Sequence, residues 1–187
     1  MSESRPGGAR YQRTSGGLLG ALIFTVLFVA VFVGFRAFFR DNEATPVRKV
    51  DYQTWVDAGR ADGKLAMLVP SRIPAGWRAT SASYDTGTDP AWHLGMLTRT
   101  REYVGVEESR SSTPDLVDEH VDPDATRGKD VRIDDVTWQA WRDAGGDLGL
   151  VRSLEGPDGT RESVLVVGSA PEAQVRAVAG SLQEQTG

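Results

Sequence analysis

The stretch TPDLVDEHVDPDAT, residues 113 to 126, holds five carboxylates and one of only two histidines in the chain. Oxygen and imidazole donors at that density can bind a metal, and spacing tests the idea. Asp122, Asp124 and Thr126 give D-x-D-x-T, the opening of an EF-hand-like loop, which then needs Gly at position six and Glu at position twelve. Those positions are Arg127 and Ile133. A helix explains the same residues without a metal. Thr113 suits an N-cap, Pro114 suits the first turn, and early acids favour the helix dipole. Leu116, Val117, His120 and Val121 would then share one face. The stretch is read as a capped, acid-faced helix, and no metal or other cofactor is expected.

The remaining reactive residues form no recognisable motif. Neither G-x-S-x-G nor H-E-x-x-H occurs. The run GRADGK, residues 59 to 64, is one residue short of a phosphate loop, with Leu65 where a magnesium-binding hydroxyl belongs. Glu107 and Glu108 are adjacent on a strand-like run, so they point to opposite faces and do not converge. His93, in WHLGM, falls on the strand face opposite Trp92. Aromatic residues suit a half-buried sheet, and an exposed set would suit glycan or peptide recognition. Trp92, His93, Trp138 and Trp141 are therefore the candidates for ligand or partner contact. No enzymatic activity is expected. The absence of cysteine excludes disulfides, thiolate nucleophiles and zinc–thiolate sites.

What positions these residues begins with a membrane anchor. Leu18 to Phe35 is eighteen residues without a charge. At about 1.5 Å per residue it reaches roughly 27 Å, near the ~30 Å hydrocarbon core. Gly16, Gly17 and residues 36–39 extend it, with Arg36 snorkelling. The run exceeds a signal-peptide apolar core and no A-x-A-like site follows, which favours an uncleaved anchor. Flanking charge leaves orientation open: three basic residues precede the run and four follow it. Residues 41–187 carry 16 basic and 25 acidic side chains, a net of −9, which argues against nucleic acid as a partner.

The organisation expected is a disordered cytoplasmic tail (1–15), a transmembrane helix (16–39), a juxtamembrane stalk with a short helix (40–63) and an extracytoplasmic α+β domain (64–187). In the stalk, Val50, Trp55 and Val56 make an imperfect apolar stripe. Strand-like runs follow at 64–70, 77–85, 91–99 and 101–109. Strict alternation in the second of these groups Trp77, Ala79, Ser81 and Ser83. The second half repeats the plan with 129–143, where a hairpin is an open reading, and 149–170. A helix at 171–185 then has Val175, Val178 and Leu182 on one face. Each half ends in a β-branched strand and a proline-started helix. The fold expected is α+β: an N-terminal transmembrane helix, then an antiparallel sheet with two or three helices. Two βββα units with both helices on one face are the working topology.

The Arg-containing tail, the single anchor, VPSRIPAGWRATS, YVGVEES and TWQAWRD together resemble an actinobacterial family of single-pass membrane proteins, domain of unknown function 4245. The resemblance spans Gly17 to about Leu182. It implies a carboxyl-terminal domain outside the cell membrane and supplies no catalytic residues. The function expected is a non-catalytic binding or scaffold module of the bacterial cell envelope, held in the bilayer by residues 16–39, with an envelope protein or glycan as partner. The alternatives are a small-ligand sensor or carrier, and an envelope hydrolase whose site forms only in three dimensions.

Overall fold

β-Branched and aromatic runs bounded by Gly, Pro and Asp become strands wherever one side can be buried. The computed structural model describes residues 50–185; the tail, the transmembrane helix and most of the stalk expected from sequence lie outside them. Among the described residues no helix is long and apolar enough to cross a membrane. The elements are α1 (Gln53–Asp62), β1 (Leu68–Pro70), β2 (Arg78–Asp85), β3 (Ala91–Leu97), β4 (Tyr103–Ser109), α2 (Thr113–His120), β5 (Thr126–Arg127), β6 (Val131–Ile133), β7 (Val136–Arg142), β8 (Leu148–Glu155), β9 (Arg161–Gly168), α3 (Glu172–Gly180) and β10 (Leu182–Glu184). The main sheet is antiparallel, with strand order β2-β3-β4-β9-β8-β7-β5 and β6 paired to β7. β1 and β10 form a separate antiparallel ribbon. The α+β expectation holds in this form.

The order β2-β3-β4 meeting β9-β8-β7 is that of two three-stranded units, each followed by a helix. The helices break the symmetry. Residues opposite one another across antiparallel pairs share a face, so Val104, Val106, Val166, Leu150 and Leu94 lie on one side of the sheet. There they form the main core with Trp92, Met96 and Trp138, under Val56 of α1, Val175 and Val178 of α3, and Leu68 of the ribbon. Leu116 and Val117 of α2 instead pack on Val151, Leu165 and Val167, the other face. The expectation of both helices on one face is therefore wrong. Strand β9 is apolar on both sides, with Val164 and Val166 on one face and Leu165 and Val167 on the other, so it accepts a helix on each.

Three local readings change. The cap of α2 is Ser112, whose hydroxyl accepts from the Asp115 amide at 3.4 Å; Thr113 is already helical. The final helix stops at Gly180, and Leu182 starts β10 opposite Pro70. In α1, Val56 and Gly59 face the core, whereas Trp55 is 39% exposed. The hairpin left open at 129–143 forms, with Ile133 opposite Val136.

Candidate functional site

Helix α2 contacts β8 and β9, so it covers one half of its sheet face and leaves β2, β3 and β4 uncovered there. A cleft of about 870 Å³ lies beside this half, between α2 and the β2–β3 turn, lined by His93, Tyr103 and Glu107 from this face and reached by Tyr84, Trp92 and Glu108 from the core face. Its floor is built by the register. A β-bulge separates Ala79 from Ser81: Ala79 pairs with Met96 and Ser81 with Gly95. The extra residue, Thr80, turns Ala79 to the core and Ser81 to the face that carries His93, as bulges do when they re-aim a side chain. Among these strand residues His93, Tyr103 and Glu107 line the cleft, and Ser81 meets it through His93. Strict alternation had put Ala79 and Ser81 together.

With that shift, three strands align three polar side chains. Ser81 Oγ lies 2.7 Å from His93 Nε2. His93 Nδ1 lies 2.7 Å from Glu107 Oε1, and the two residues are direct register partners on β3 and β4. Glu107 is 8% exposed at its side chain and His93 29%. The bond to Glu107 raises the His93 pKa above its ordinary 6.5, against the lowering effect of partial burial. Tyr103 lies beside them over two glycines. A Cβ on Gly95 would overlap the Ser81 hydroxyl and come within 3.1 Å of the Tyr103 ring; a Cβ on Gly105 would stand 2.5 Å from the Tyr103 hydroxyl. Burial, with the Glu107 charge second, pushes the Tyr103 phenol up to about 12. It is a neutral O–H donor at physiological pH.

A second pair of acids converges on the core face. Glu108 and Glu162 are 1% and 0% exposed. Glu108 Oε2 accepts the Leu68 amide at 2.6 Å, and Glu162 Oε2 accepts the Ala66 amide at 3.1 Å. Their remaining oxygens, Glu108 Oε1 and Glu162 Oε1, are buried without a hydrogen-bond partner, and the two carboxyls influence each other's protonation. Burial raises both pKa values, with Glu108 pushed up to about 8. These carboxyls tie the segment before β1 to the sheet.

Of the four candidate contact residues, only His93 enters the cluster, where it is joined by Glu107. Trp92 is buried, its indole N–H donating to the Leu68 carbonyl at 3.3 Å. Trp138 is buried too, with the Arg152 guanidinium 5.3 Å from its ring centre. Neither belongs to an exposed aromatic floor, because their strand positions point into the main core. Trp141 is half-buried beside Leu165 and Val167 on the α2 face. Four aromatic residues line the cleft, Trp55, Tyr84, Trp92 and Tyr103; Tyr84 and Trp92 are buried, so Trp55 and Tyr103 offer it the accessible surface. Glu107 and Glu108 do face opposite sides, each with a partner the spacing could not supply. Asp122 is occupied in a turn, accepting the Asp124 amide at 2.7 Å. Among the described residues no cluster of three or more His, Asp or Glu side chains could hold a metal ion. Sequence reasoning missed Ser81 and Tyr103; the alternation change at Thr80 and the paired Gly95 and Gly105 were the available signals.

Fold and cleft define an α+β domain with one sheet face half covered by a helix. The chain belongs to the family described as "Protein of unknown function (DUF4245)", which matches residues 10–182. No curated protein matches it. Among solved structures it is similar to one titled "Crystal structure of MucB in complex with MucA(peri)", at 14% identity and a TM-score of 0.38, over 64% of this chain. The chain spans 37% of the length of that relative.

Proposed function

We propose that the protein is a membrane-anchored binding module of the bacterial cell envelope, with its folded domain outside the cytoplasmic membrane and its ligand in the cleft over β2, β3 and β4. The observation that carries the reading is the cleft itself. Its volume of about 870 Å³ falls within the ~300–1,000 Å³ of small-ligand sites. It combines aromatic surface from Trp55 and Tyr103 with a few convergent polar groups. Asp85, Asp89 and Glu119 outnumber Arg110 along its walls, which favours a neutral or cationic ligand such as an envelope glycan over an anion. The apolar run within residues 16–39 supports the anchor.

Tryptophan fluorescence of the detergent-solubilised full chain, titrated with muropeptides, tests the binding. A saturable change lost in Trp55→Ala supports it, and a flat titration sinks it. The location is tested separately. The chain has no cysteine, so a single Ser153→Cys on exposed β8 reports which side a membrane-impermeant maleimide reaches in intact cells. Labelling only after lysis would place the domain inside and overturn the assignment.

A further inference from the structure

Ser81, His93 and Glu107 stand on three adjacent strands in the order hydroxyl, imidazole, carboxylate. Both links are 2.7 Å, and each uses a different ring nitrogen. Glu107 accepts from Nδ1–H, which leaves Nε2 with its lone pair toward the Ser81 hydroxyl. That is the arrangement by which a serine becomes a nucleophile, and it is identified by geometry and roles on any fold. The Tyr103 hydroxyl and Ser81 Oγ both stand within 3.3 Å of the point a Gly95 Cβ would occupy, so a phenolic donor flanks the serine. Among the described residues nothing accepts that phenol's proton.

We propose that Ser81 is a nucleophile toward carboxylic esters, with His93 as its general base, Glu107 as the positioning residue for His93, and the Tyr103 hydroxyl as a donor to the developing oxyanion. As Ser81 Oγ bonds to the ester carbonyl carbon, its proton passes to His93 Nε2 and the carbonyl electron pair moves onto oxygen, toward Tyr103. Collapse breaks the bond to the alcohol, which leaves with the proton from His93. Water then attacks the acyl-serine by the same route, releasing a carboxylic acid and restoring the hydroxyl. The carboxylates along the cleft select an uncharged or cationic ester. The inference rests on the cleft being the ligand site, and it replaces the expectation of a purely binding role with a reactive one.

The test uses the full chain in detergent with a fluorophosphonate probe, whose P–F bond breaks as the serine oxygen bonds phosphorus. Peptide mapping of the wild type should place the adduct on Ser81. Ser81→Ala should abolish it, and His93→Gln should slow it about 100-fold or more. Ser153→Ala, remote and exposed on β8, should label at the wild-type rate. Glu107→Gln should move the pH midpoint of labelling downward, because the carboxylate that raises the imidazole pKa is gone; Asp85 on β2 and Glu119 and His120 on α2 remain. A merely structural loss would lower the rate and leave the midpoint in place. No adduct on Ser81, or an unchanged rate in His93→Gln, overturns the proposal. Muropeptide titration of the same samples keeps the two readings apart. Binding without an adduct ends this inference alone, and an adduct without binding ends the glycan reading alone.

Discussion

His93 Nδ1 and Glu107 Oε1 meet at 2.7 Å as direct partners across the β3–β4 ladder. The pair ties a chemical state to a register, since a one-residue slip of β3 would send His93 to the core and leave Glu107 without it.

The first prediction concerns protonation. The His93 pKa is raised in the folded protein, chiefly by its bond to Glu107. A raised histidine contributes stability that is fully present below the unfolded value near 6.5 and is lost as pH rises through the folded value. The ring is partly exposed, so the contribution is at most about 1 kcal/mol. Imidazole NMR titration should place His93 above 6.5 in the wild type and lower in Glu107→Gln. Equal values in the two proteins would contradict the assignment.

Glu108 and Glu162 give a pH dependence across a wider window. Both folded pKa values are raised, so the folded state holds protons the unfolded chain has released. Stability from this pair is present below about 4.5 and falls as pH rises toward about 8. Glu108→Gln keeps an acceptor for the Leu68 amide and removes the buried group whose ionisation opposes folding at high pH. It should stabilise the protein at pH 8 by roughly 1–3 kcal/mol and flatten the decline. Glu108→Ala should destabilise by about 1–3 kcal/mol, because the Leu68 amide loses its acceptor. Urea melts from pH 5 to 9 decide between these outcomes.

Gly95→Ala should disturb the Ser81–His93 pair more than the fold. The added methyl overlaps the Ser81 hydroxyl and presses on the Tyr103 ring, so one of them must move. The expected cost is about 1–3 kcal/mol, with loss of fluorophosphonate labelling at Ser81. A variant that labels at the wild-type rate would show that the Ser81–His93 bond tolerates displacement.

Leu116→Ala should loosen the cleft wall. Leu116 is buried in the smaller core beneath α2, and its truncation should cost about 2–5 kcal/mol. Amide exchange should rise in residues 113–120 and change little in α3, which packs on the opposite face. Uniform exchange throughout the domain would argue against two separable cores.

Much of this architecture was legible in the chain itself. The strands β2, β3, β4, β8 and β9 follow from apolar and β-branched runs bounded by turn residues, a signal local enough to read without a fold. The acidic face of α2 and the opposed side chains of Glu107 and Glu108 follow from helix and strand periodicity alone. The uncharged run from Leu18 to Phe35 carries the expectation of an anchor by composition and lies outside the described residues. What tertiary structure decided was which faces met. Trp92 and Trp138 read as candidate contacts until the sheet turned both into the core, and Leu182 read as helix until β1 offered it a pairing edge. The Ser81–His93–Glu107 line depends on a one-residue bulge at Thr80 and on the order of three strands. Its members lie 12 and 14 residues apart, and a separation across hairpins carries no fixed distance until the hydrogen-bond register sets one.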